Sequence, residues 1–490
     1  MQKQQYDAIV IGAGLGGLLS AAQLLQRGKR VIILERLPHS GGRFTAKTFQ
    51  GAQISTGAVH MLPFGSSGVL SRMLQRLHIP HRIFDADVFG SFHVRGKQIR
   101  SRGVLGVYKV LGPREFLWFT RVGYLMFFRR LPEAERALPF ASWLARQINV
   151  QRNPTLLAFF ASISRFALSL ELHQVTTEEV IRTTKHMLRF GAPGILEGGC
   201  GALTGELERS VIAQGAELRL RYDVLQIMHN AGQVTGVRVR DKTSGMEELI
   251  EAPLVVSDIG PRATNALLNN QQVKQAEVLK QQTETHAADQ EEQAHRKQPE
   301  AIGLKVHFLS DVSLIPHKGI MYCLDTQRIG GVVQPTNSDP HLAPAGKHLL
   351  ISHQVIQSEH IEEEKALALA DLHTLFGAAF DQHCRVLTMS AYRGEWPVNR
   401  LVQGNDVETK TALQHLYLVG DAVKPAGYLM VEGVAQSVNK LLDQLDTLEQ
   451  EQAGTMPGAS STRFVSNIMT PPSRFHALRW LWEAPGNSHS

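Results

Sequence analysis

Three glycines near the start of the chain have the spacing of a phosphate-binding turn. Gly12, Gly14 and Gly17 form the pattern G-x-G-x-x-G, and Glu35 follows at the distance expected of the acid that completes this motif. The first glycine permits a tight bend, the second lets a pyrophosphate approach the backbone, and the third lets a helix pack closely. An acid at the later position can accept a hydrogen bond from a ribose hydroxyl. These residues predict a dinucleotide-binding site.

The elements that would hold these residues are short and apolar. Residues 6–11 have the pattern of a buried parallel strand, residues 15–27 that of a helix, and residues 30–34 that of a second strand. The helix would begin at the glycine turn, so its free N–H groups and positive dipole end would face the phosphates. A glycine motif between a strand and a helix, with an acid closing the next strand, is specific.

Two further pieces could reach the same cofactor. Arg43 follows a pair of glycines and can bring a planar cation to a phosphate, although a surface arginine in a turn is the alternative. Near the other end of the chain, an apolar strand ends in Gly420 and Asp421, whose carboxylate could contact a polyol-phosphate chain. A nicotinamide cofactor needs no such second contact, whereas an extended, buried flavin dinucleotide does. The pairing therefore favours FAD.

Composition limits the class of protein. The chain has 490 residues, 43% of them hydrophobic and 20% charged, which predicts a globular protein with two domains. The net charge of +6 is not gathered into a nucleic-acid stripe and suits an anionic membrane surface better, so no nucleic-acid partner is expected. The three cysteines lie far apart, so neither a metal site nor a disulfide framework is predicted.

Location and membrane contact can also be anticipated. The first strand begins too early for a signal peptide, and no apolar run reaches the length of a membrane span. The sequence predicts a cytoplasmic protein, either free or peripheral at the inner membrane face. Residues 116–128 are apolar and flanked by arginines, so they could lie in a lipid interface or form a core helix. The same two readings apply to residues 156–168, and residues 474–482 could touch a membrane or pack on the body.

Six different glycine-containing motifs follow one another along almost the whole chain. They are the Gly12–Gly17 turn with Glu35, Gly41-Gly42-Arg43, Gly198-Gly199, Val255-Val-Ser-Asp-Ile-Gly260, Leu418-Val-Gly420-Asp421 and Val431-Glu-Gly433-Val434. With these residues the chain resembles the FAD-dependent family of bacterial phytoene desaturases, plant and cyanobacterial carotenoid isomerases and retinol saturase, within the flavin amine oxidase superfamily.

The resemblance implies a role for each matching residue. The glycine turn would hold the FAD pyrophosphate, Glu35 the adenosine ribose, and Arg43 would cover the phosphates. The backbone of Val224 would meet the adenine, Asp421 the ribityl-phosphate region, and Gly433 with Val434 the isoalloxazine. The predicted cofactor-binding residues are Gly12, Gly14, Leu15, Gly16, Gly17, Glu35, Arg36, Gly42, Arg43, Val224, Gly420, Asp421, Gly433 and Val434.

The segment after the Gly-Asp pair differs from the family pattern. Relatives often carry a glycine-rich run there, whereas residues 424–430 bring bulk and a cation near the flavin. Lys424, Tyr428 and Glu432 are candidates for a catalytic acid or base by neighbourhood, with a structural role as the alternative for each.

The expected fold is α/β: a discontinuous Rossmann-like FAD-binding domain with an inserted α+β substrate domain. Residues 1–65, 194–268 and 386–450 would form the first, and residues 66–193 and 301–385 the second. Residues 269–300 would be a charged insertion and residues 451–490 a tail. A helix is predicted over residues 359–380.

Three functions fit these observations. The first is an FAD-dependent oxidoreductase that desaturates, saturates or isomerises a long apolar polyene, with an apolar small molecule as its partner. The second is a flavin amine oxidase acting on a smaller substrate, for which Trp396 and Tyr428 could supply an aromatic pair at the flavin. The third is a non-enzymatic carrier of prenyl chains or lipids, of the type of the Rab GDP-dissociation inhibitors.

Overall fold

The computed structural model describes residues 6–57, 59–87, 90–101, 103–269, 300–401 and 406–454. The charged segment over residues 270–299 and the tail segment over residues 474–482 lie outside these ranges. The predictions made for those two segments therefore stay predictions.

The described residues form α-helices and strands, and the strands are arranged in five sheets. The strands are β1 (Ala8–Ile11), β2 (Val31–Glu35), β3 (Ala46–Phe49), β4 (Ala52–Ser55), β5 (Met61–Leu62), β6 (Ile83–Asp85), β7 (Gly90–Val94), β8 (Lys97–Ser101), β9 (Gly194–Leu196), β10 (Glu217–Leu220), β11 (Tyr222–Asn230), β12 (Gln233–Asp241), β13 (Glu247–Glu251), β14 (Val255–Ser257), β15 (Gly303–Ser310), β16 (Ile320–Cys323), β17 (Ile329–Val333), β18 (His348–Val355), β19 (Cys384–Tyr392) and β20 (Leu416–Leu418). The helices are α1 (Leu15–Gln26), α2 (Val69–Arg76), α3 (Gly103–Phe128), α4 (Glu133–Arg136), α5 (Phe140–Gln147), α6 (Pro154–Ala167), α7 (Thr177–Phe190), α8 (Gly199–Ala213), α9 (Pro261–Asn269), α10 (Ile361–Phe376), α11 (Ala378–His383) and α12 (Met430–Gly454).

A five-stranded parallel sheet holds the glycine turn. Its strand order is β10-β2-β1-β14-β20, with Val10 between Ile33 and Val256. Strands β1, β2, β14 and β20 are fully buried, as the interior of a parallel sheet requires, whereas the edge strand β10 is half-buried and carries Glu217 and Arg219. Helices α1, α8 and α12 pack together on one side of the sheet, and the antiparallel β11-β12-β13 ribbon shares a core with the other side. Three separate stretches of the chain thus supply this sheet, which confirms the discontinuous Rossmann-like fold.

A seven-stranded sheet forms the second body, in the order β19-β15-β18-β17-β16-β7-β8. Helix α6 packs on it, with Phe159 stacked on Phe92, which in turn stacks on Tyr322. Strands β7 and β8 lie within residues 66–193, in a stretch where the sequence favours helices with aromatic faces. They were missed because β7 pairs with β16, more than two hundred residues later in the chain. The predicted boundary at residue 386 falls inside β19, whose ladder to β15 places residues 386–392 in this sheet.

Two predicted helices differ in detail from those observed. The helix expected over residues 359–380 is broken at Gly377, whose φ of +54° ends α10 before α11 begins. Helix α3 bends at Gly112, where φ is +73°, immediately before Pro113.

The two aromatic helices differ in exposure. Helix α6 buries Leu156, Phe159 and Phe166, so it is a core helix. Helix α3 buries Val122 and Met126 but leaves Leu117, Tyr124 and Phe128 between 62% and 79% exposed. No helix in the described ranges is both long enough and apolar enough to cross a bilayer.

Candidate functional site

A cleft of about 840 Å³ lies at the carboxyl edge of the five-stranded sheet. Its volume is in the range of about 300–1,000 Å³ that cofactor and ligand sites occupy. The walls come from the turn after β1, the end of β2, the start of β11, the end of β14 and the residues after β20. Ligands of open α/β sheets bind at this edge, because the loops that follow parallel strands meet there.

Most of the predicted cofactor-binding residues meet in this cleft. Those that line it are Gly12, Gly14, Leu15, Gly16, Glu35, Arg36, Gly42, Arg43, Val224, Asp421 and Val434. Their assignment to particular parts of a cofactor stays a prediction.

The other three predicted residues, all glycines, lie behind the wall. Gly17 packs on the carbonyl of Gly12, so that a side chain there would collide with the turn. The N–H of Gly420 donates to Ser437 Oγ at 2.9 Å, and Gly433 packs against the Lys424 side chain. They set the shape of the loops without lining the cleft.

Glu35 stands at the end of β2 with its carboxylate tied to the surrounding backbone. Its Oε2 accepts the N–H of Ala13 at 2.8 Å, and its Oε1 accepts the N–H of Leu37 at 2.8 Å. A carboxylate has about four lone-pair sites, so each oxygen can accept a further hydrogen bond from a ligand hydroxyl. The backbone bonds hold the side chain in place for that contact.

Arg43 and Asp421 form an ion pair in the middle of the cleft wall. Arg43 Nη2 donates to Asp421 Oδ1 at 2.6 Å, and Arg43 Nη1 donates to the carbonyls of Pro397 and Val398 at 2.9 and 3.0 Å. Arg400 donates its backbone N–H to Asp421 Oδ2 at 2.7 Å. Although burial favours the neutral acid, the two guanidinium groups hold the pKa of Asp421 well below its usual range. Arg43 is therefore part of the cleft wall and not a solvated turn residue.

The charged residues of the cleft are a mixture of both signs. They are the arginines Arg36, Arg43, Arg262 and Arg400 and the acids Glu35, Asp223, Asp258, Glu300, Glu395 and Asp421. The features that suit FAD are the glycine turn at the N terminus of α1, which leaves backbone N–H groups open to phosphate, and the length of the cleft wall from Val224 to Val434. The residues present thus fit a flavin dinucleotide.

A second cavity, of about 50 Å³, adjoins the cleft at Met430, which lines both. Its other walls are mainly apolar and include Met61, Met187 and Phe166. The titratable residues among them are Lys305, Tyr322 and His353. Met430 has a φ of +41°, an uncommon backbone conformation for a residue with a side chain. Strained residues cluster at binding sites, which agrees with its position between the two spaces.

Lys305 is the most unusual residue of this cavity. It is only 3% exposed, and its ammonium lies 4.8 Å from the centre of the Tyr392 ring. Burial lowers the pKa of Lys305 to about 7, so the charged and neutral forms are similarly populated near neutral pH. Nearby, burial lowers the pKa of His60 to about 4 and that of His353 well below its usual value, so both histidines are neutral. Lys305 can therefore hold or release a proton in an apolar space.

The three candidates for a catalytic acid or base do not line the cleft or the cavity. Lys424 Nζ donates to Asp406 Oδ1 at 3.0 Å and to a backbone carbonyl at 2.9 Å. Glu432 accepts the N–H of Leu70 at 2.9 Å, at the start of α2, and burial raises its pKa to about 7. The ring of Tyr428 lies 4.3 Å from that of His186. The geometry favours the structural alternative for all three.

The aromatic pair expected of an amine oxidase is not formed by the residues proposed for it. The guanidinium of Arg36, the residue that follows Glu35, lies 5.9 Å from the centre of the Trp396 ring. Tyr428 instead packs on His186. The two rings therefore occupy different surroundings. No group of histidine, cysteine and acidic side chains in the described ranges could hold a metal ion.

Three residues of the site were missed from the sequence: Asp258, Lys305 and Arg400. The signal for Asp258 was its place at the end of an apolar strand, where α/β proteins position ligand-contacting groups. Lys305 is the only charged residue in β15, an otherwise fully buried strand that carries no other Lys, Arg, Asp or Glu. A lone charge in a strand of that kind is a usable signal. Arg400 offered none, because it lies outside the strands and helices.

Comparison with known proteins agrees with this geometry. Residues 10–77 match the family model described as an NAD(P)-binding Rossmann-like domain. The crystal structure of an oxidoreductase from Methanosarcina mazei superposes with a TM-score of 0.77 and 31% identity, covering 89% of this chain and 99% of that one. A putrescine oxidase structure superposes with a TM-score of 0.66 at 16% identity, over 90% of this chain and 99% of that one, and shares the fold.

Sequence relatives extend the comparison. An uncharacterised protein of Methanocaldococcus jannaschii is 29% identical over 90% of this chain and 99% of its own length. A prolycopene isomerase of an Oncidium hybrid is 24% identical over 49% of this chain and 46% of its own length. A phytoene desaturase (neurosporene-forming) of Rhodobacter capsulatus is 26% identical over 51% of this chain and 52% of its own. The matches to the two carotenoid enzymes thus span about half of each.

Proposed function

Because this chain belongs to the family of phytoene desaturases, carotenoid isomerases and retinol saturase, within the flavin amine oxidase superfamily, we propose that it is an FAD-dependent oxidoreductase acting on a long apolar polyene. The reaction would be a desaturation, a saturation or an isomerisation. The observation that carries the proposal is Met430, which lines both the cofactor-sized cleft and the apolar cavity. A flavin ring at that end of the cleft would face an apolar space.

Different residues of the cleft would contact different parts of the cofactor. Glu35 would accept from the adenosine ribose, the N terminus of α1 would meet the pyrophosphate, and Asp421 with Val434 would hold the ribityl and ring end. FAD, when bound, supplies hydride transfer to or from carbon. The ion pair between Arg43 and Asp421 ties the loop after β2 to the loop after β20, so these two parts of the cleft wall are held together.

Lys305 would handle the proton. Adding hydrogen across a carbon–carbon double bond, or removing it, moves a proton as well as a hydride. Lys305 lies in the cavity wall with a pKa of about 7, near the value at which a general acid or base works best at neutral pH. Among the residues that line the cavity, His353 is neutral and burial raises the pKa of Tyr322 well above its usual value, so Lys305 is the group that titrates near neutral pH.

The cavity must enlarge to admit a polyene. A volume of about 50 Å³ is close to that of one or two water molecules, at about 30 Å³ each. Three methionines, Met61, Met187 and Met430, form part of its wall, and unbranched thioether side chains rearrange at small energetic cost. Substrate entry would displace these side chains while the strand that carries Lys305 stays in place.

Three measurements on the full chain test the proposal. Bound FAD would give the purified or FAD-supplemented protein a yellow colour, and a protein that stays colourless would favour the carrier function instead. Anaerobic reduction of the flavin by small amines, with none by polyenes, would favour the amine oxidase. Mass analysis of the apolar molecules that co-purify would name the substrate class, and recovery of a conjugated isoprenoid is the expected result.

The proposed substrate dissolves in membranes, and α3 offers a surface to reach them. Leu117, Tyr124 and Phe128 follow one another at helical spacing, are all exposed, and are accompanied on that helix by the exposed cation Arg121. An apolar stripe with cations beside it suits the interface of an anionic bilayer. The proposal is that this stripe holds the protein at a membrane.

Vesicle sedimentation tests this contact. The chain should bind phosphatidylglycerol vesicles more tightly than phosphatidylcholine vesicles, and L117S/Y124S/F128S should lower the binding by about tenfold or more. Leu249, which is 59% exposed on β13, provides the matched control, and Leu249→Ser should bind as the unsubstituted chain does. Equal binding by the triple variant would refute the contact.

A further inference from the structure

Asp258 connects the two loops that are expected to hold the cofactor. It follows β14 and lines the cleft, and its Oδ2 accepts the N–H of Gly17 at 2.9 Å at the N terminus of α1. Its other oxygen faces Gly16 and Gly420, where a Cβ atom would lie only 2.5 Å away. Gly14 faces the same carboxylate at a similarly close approach. A side chain at any of these glycines would collide with the carboxylate of Asp258, which occupies the space between the two loops.

This position brings two acidic groups into competition. The N–H groups at the start of α1 are the ones that a dinucleotide pyrophosphate would use, and Asp258 already takes one of them. The acids that line the cleft outnumber the arginines, six to four. An ionised Asp258 would therefore repel the phosphates, whereas a protonated Asp258 would present a hydroxyl that can donate a hydrogen bond to them.

We propose that Asp258 binds the cofactor in its protonated form, so that binding of the dinucleotide takes up a proton and weakens as the pH rises. This inference rests on the proposed FAD-dependent function. It makes Asp258 a cofactor-binding residue whose protonation decides the charge of the phosphate site.

The surroundings of Asp258 set its protonation, and with it the change in cofactor affinity, near neutral pH. Burial is the main factor that raises the pKa of Asp258 to about 7, and the charge of Asp421 acts in the same direction. The N–H of Gly17 and the guanidinium groups of Arg400 and Arg43 act against it. A pyrophosphate beside the carboxylate would raise the pKa further. Affinity would then be constant below about pH 7 and fall by up to about tenfold per pH unit above it.

The test is FAD binding by the full chain, freed of flavin, between pH 6 and pH 9. The dissociation constant is followed by quenching of flavin fluorescence, and proton uptake by an indicator dye in weak buffer at pH 8. The unsubstituted chain should take up close to one proton per FAD. Asp258→Asn should bind with the same affinity at every pH and take up none, because an amide mimics the protonated acid. Asp381→Asn, on α11 and exposed, is the matched control and should behave as the unsubstituted chain.

The outcomes separate the alternatives. FAD affinity that does not change with pH, with no proton uptake, would overturn the proposal even if Asp258→Asn fails to fold. An Asp258→Asn variant that folds but loses affinity at every pH would also overturn it, because the carboxylate would then be needed in ionised form. Absence of FAD binding at all pH values would instead refute the proposed cofactor, and this inference with it.

Discussion

Replacing Lys305 by methionine should stabilise the fold most at low pH. Lys305 lies on β15 and is only 3% exposed, and burial lowers its pKa from the usual 10.5 to about 7. In the unfolded chain the same ammonium is fully hydrated. Folding therefore removes a charge from water, or removes its proton, and either process lowers the free energy of unfolding. Methionine has a similar length and no charge, so it fills the same space without that penalty.

The magnitude follows from proton linkage. Between about pH 7 and pH 10.5 the unfolded chain binds the proton and the native state does not, so the stability of the unsubstituted chain rises with pH. At about 1.36 kcal/mol per unit of pKa, the shift from 10.5 to about 7 lowers the unfolding free energy by about 5 kcal/mol, and this destabilisation is complete below pH 7. The advantage of Lys305→Met should be about 5 kcal/mol at pH 6 and should shrink by about 3 kcal/mol by pH 9.5.

Urea unfolding of both chains at several pH values between 6 and 9.5 measures this difference. Taking the difference between variant and unsubstituted chain cancels the titrating groups that do not interact with Lys305. Burial holds the pKa values of its neighbours His60, His307 and His353 below this pH range, so they stay neutral throughout it. Lys97→Met is the matched control, since Lys97 lies in the same sheet but is exposed, and it should change stability by less than about 0.5 kcal/mol at every pH. A variant that is no more stable than the unsubstituted chain at pH 6, or an advantage that does not change with pH, would refute the reasoning.

Three further predictions concern the cleft and its supports. Burial keeps Glu432 protonated up to about pH 7 in the native state, so the unfolding free energy of the unsubstituted chain should fall by about 3 kcal/mol between about pH 4.5 and pH 7. Glu432→Gln should abolish this fall, as urea unfolding at these pH values would show. Arg43→Met should lower stability by about 3 kcal/mol at pH 7, since it leaves the buried Asp421 with Arg400 as its remaining guanidinium partner; an unchanged unfolding midpoint would contradict this. Glu35→Gln should weaken FAD binding by about tenfold, the effect of losing a hydrogen bond to a charged acceptor, as fluorescence titration would show.

The nucleotide-binding half could be predicted because its signals are local. The turn from Gly12 to Gly17 joins a strand and a helix that follow each other directly, and the strand β2 with Glu35 comes next. Each of these elements is specified by its own residues: β-branched apolar runs, a glycine turn and a largely apolar helix. The structure brings eleven of the fourteen predicted cofactor residues to one cleft because the carboxyl ends of parallel strands share one edge.

The rest depended on contacts between distant parts of the chain. The segment Gly90–Val94 forms strand β7 because it pairs with β16, and nothing in its own residues identifies β16 as its partner. The Gly17–Asp258 hydrogen bond joins residues 241 positions apart, so the carboxylate at the phosphate turn is invisible to any local motif. Lys424 and Glu432 were candidates because of their neighbours in sequence, yet their side chains point to Asp406 and to the start of α2. Side-chain direction is set by packing and cannot be read from adjacency.

Because the cofactor cleft is built from separate parts of the chain, ligand binding in it affects the stability of the whole fold. Its walls come from the residues between the turn after β1 and Arg43, from the end of β14 and from the segment around Asp421. The Arg43–Asp421 ion pair joins the first piece to the third, and the Gly17–Asp258 hydrogen bond joins the first to the second. A ligand that contacts all three pieces binds only when they are together, so its binding energy adds to the stability of the native state. At a concentration 100 times its dissociation constant this amounts to about 2.7 kcal/mol. That is comparable to the effect of breaking the ion pair itself. The stability of variants in this cleft therefore depends on whether the cofactor is bound, and an ion pair that looks essential without it can be largely replaced by the ligand.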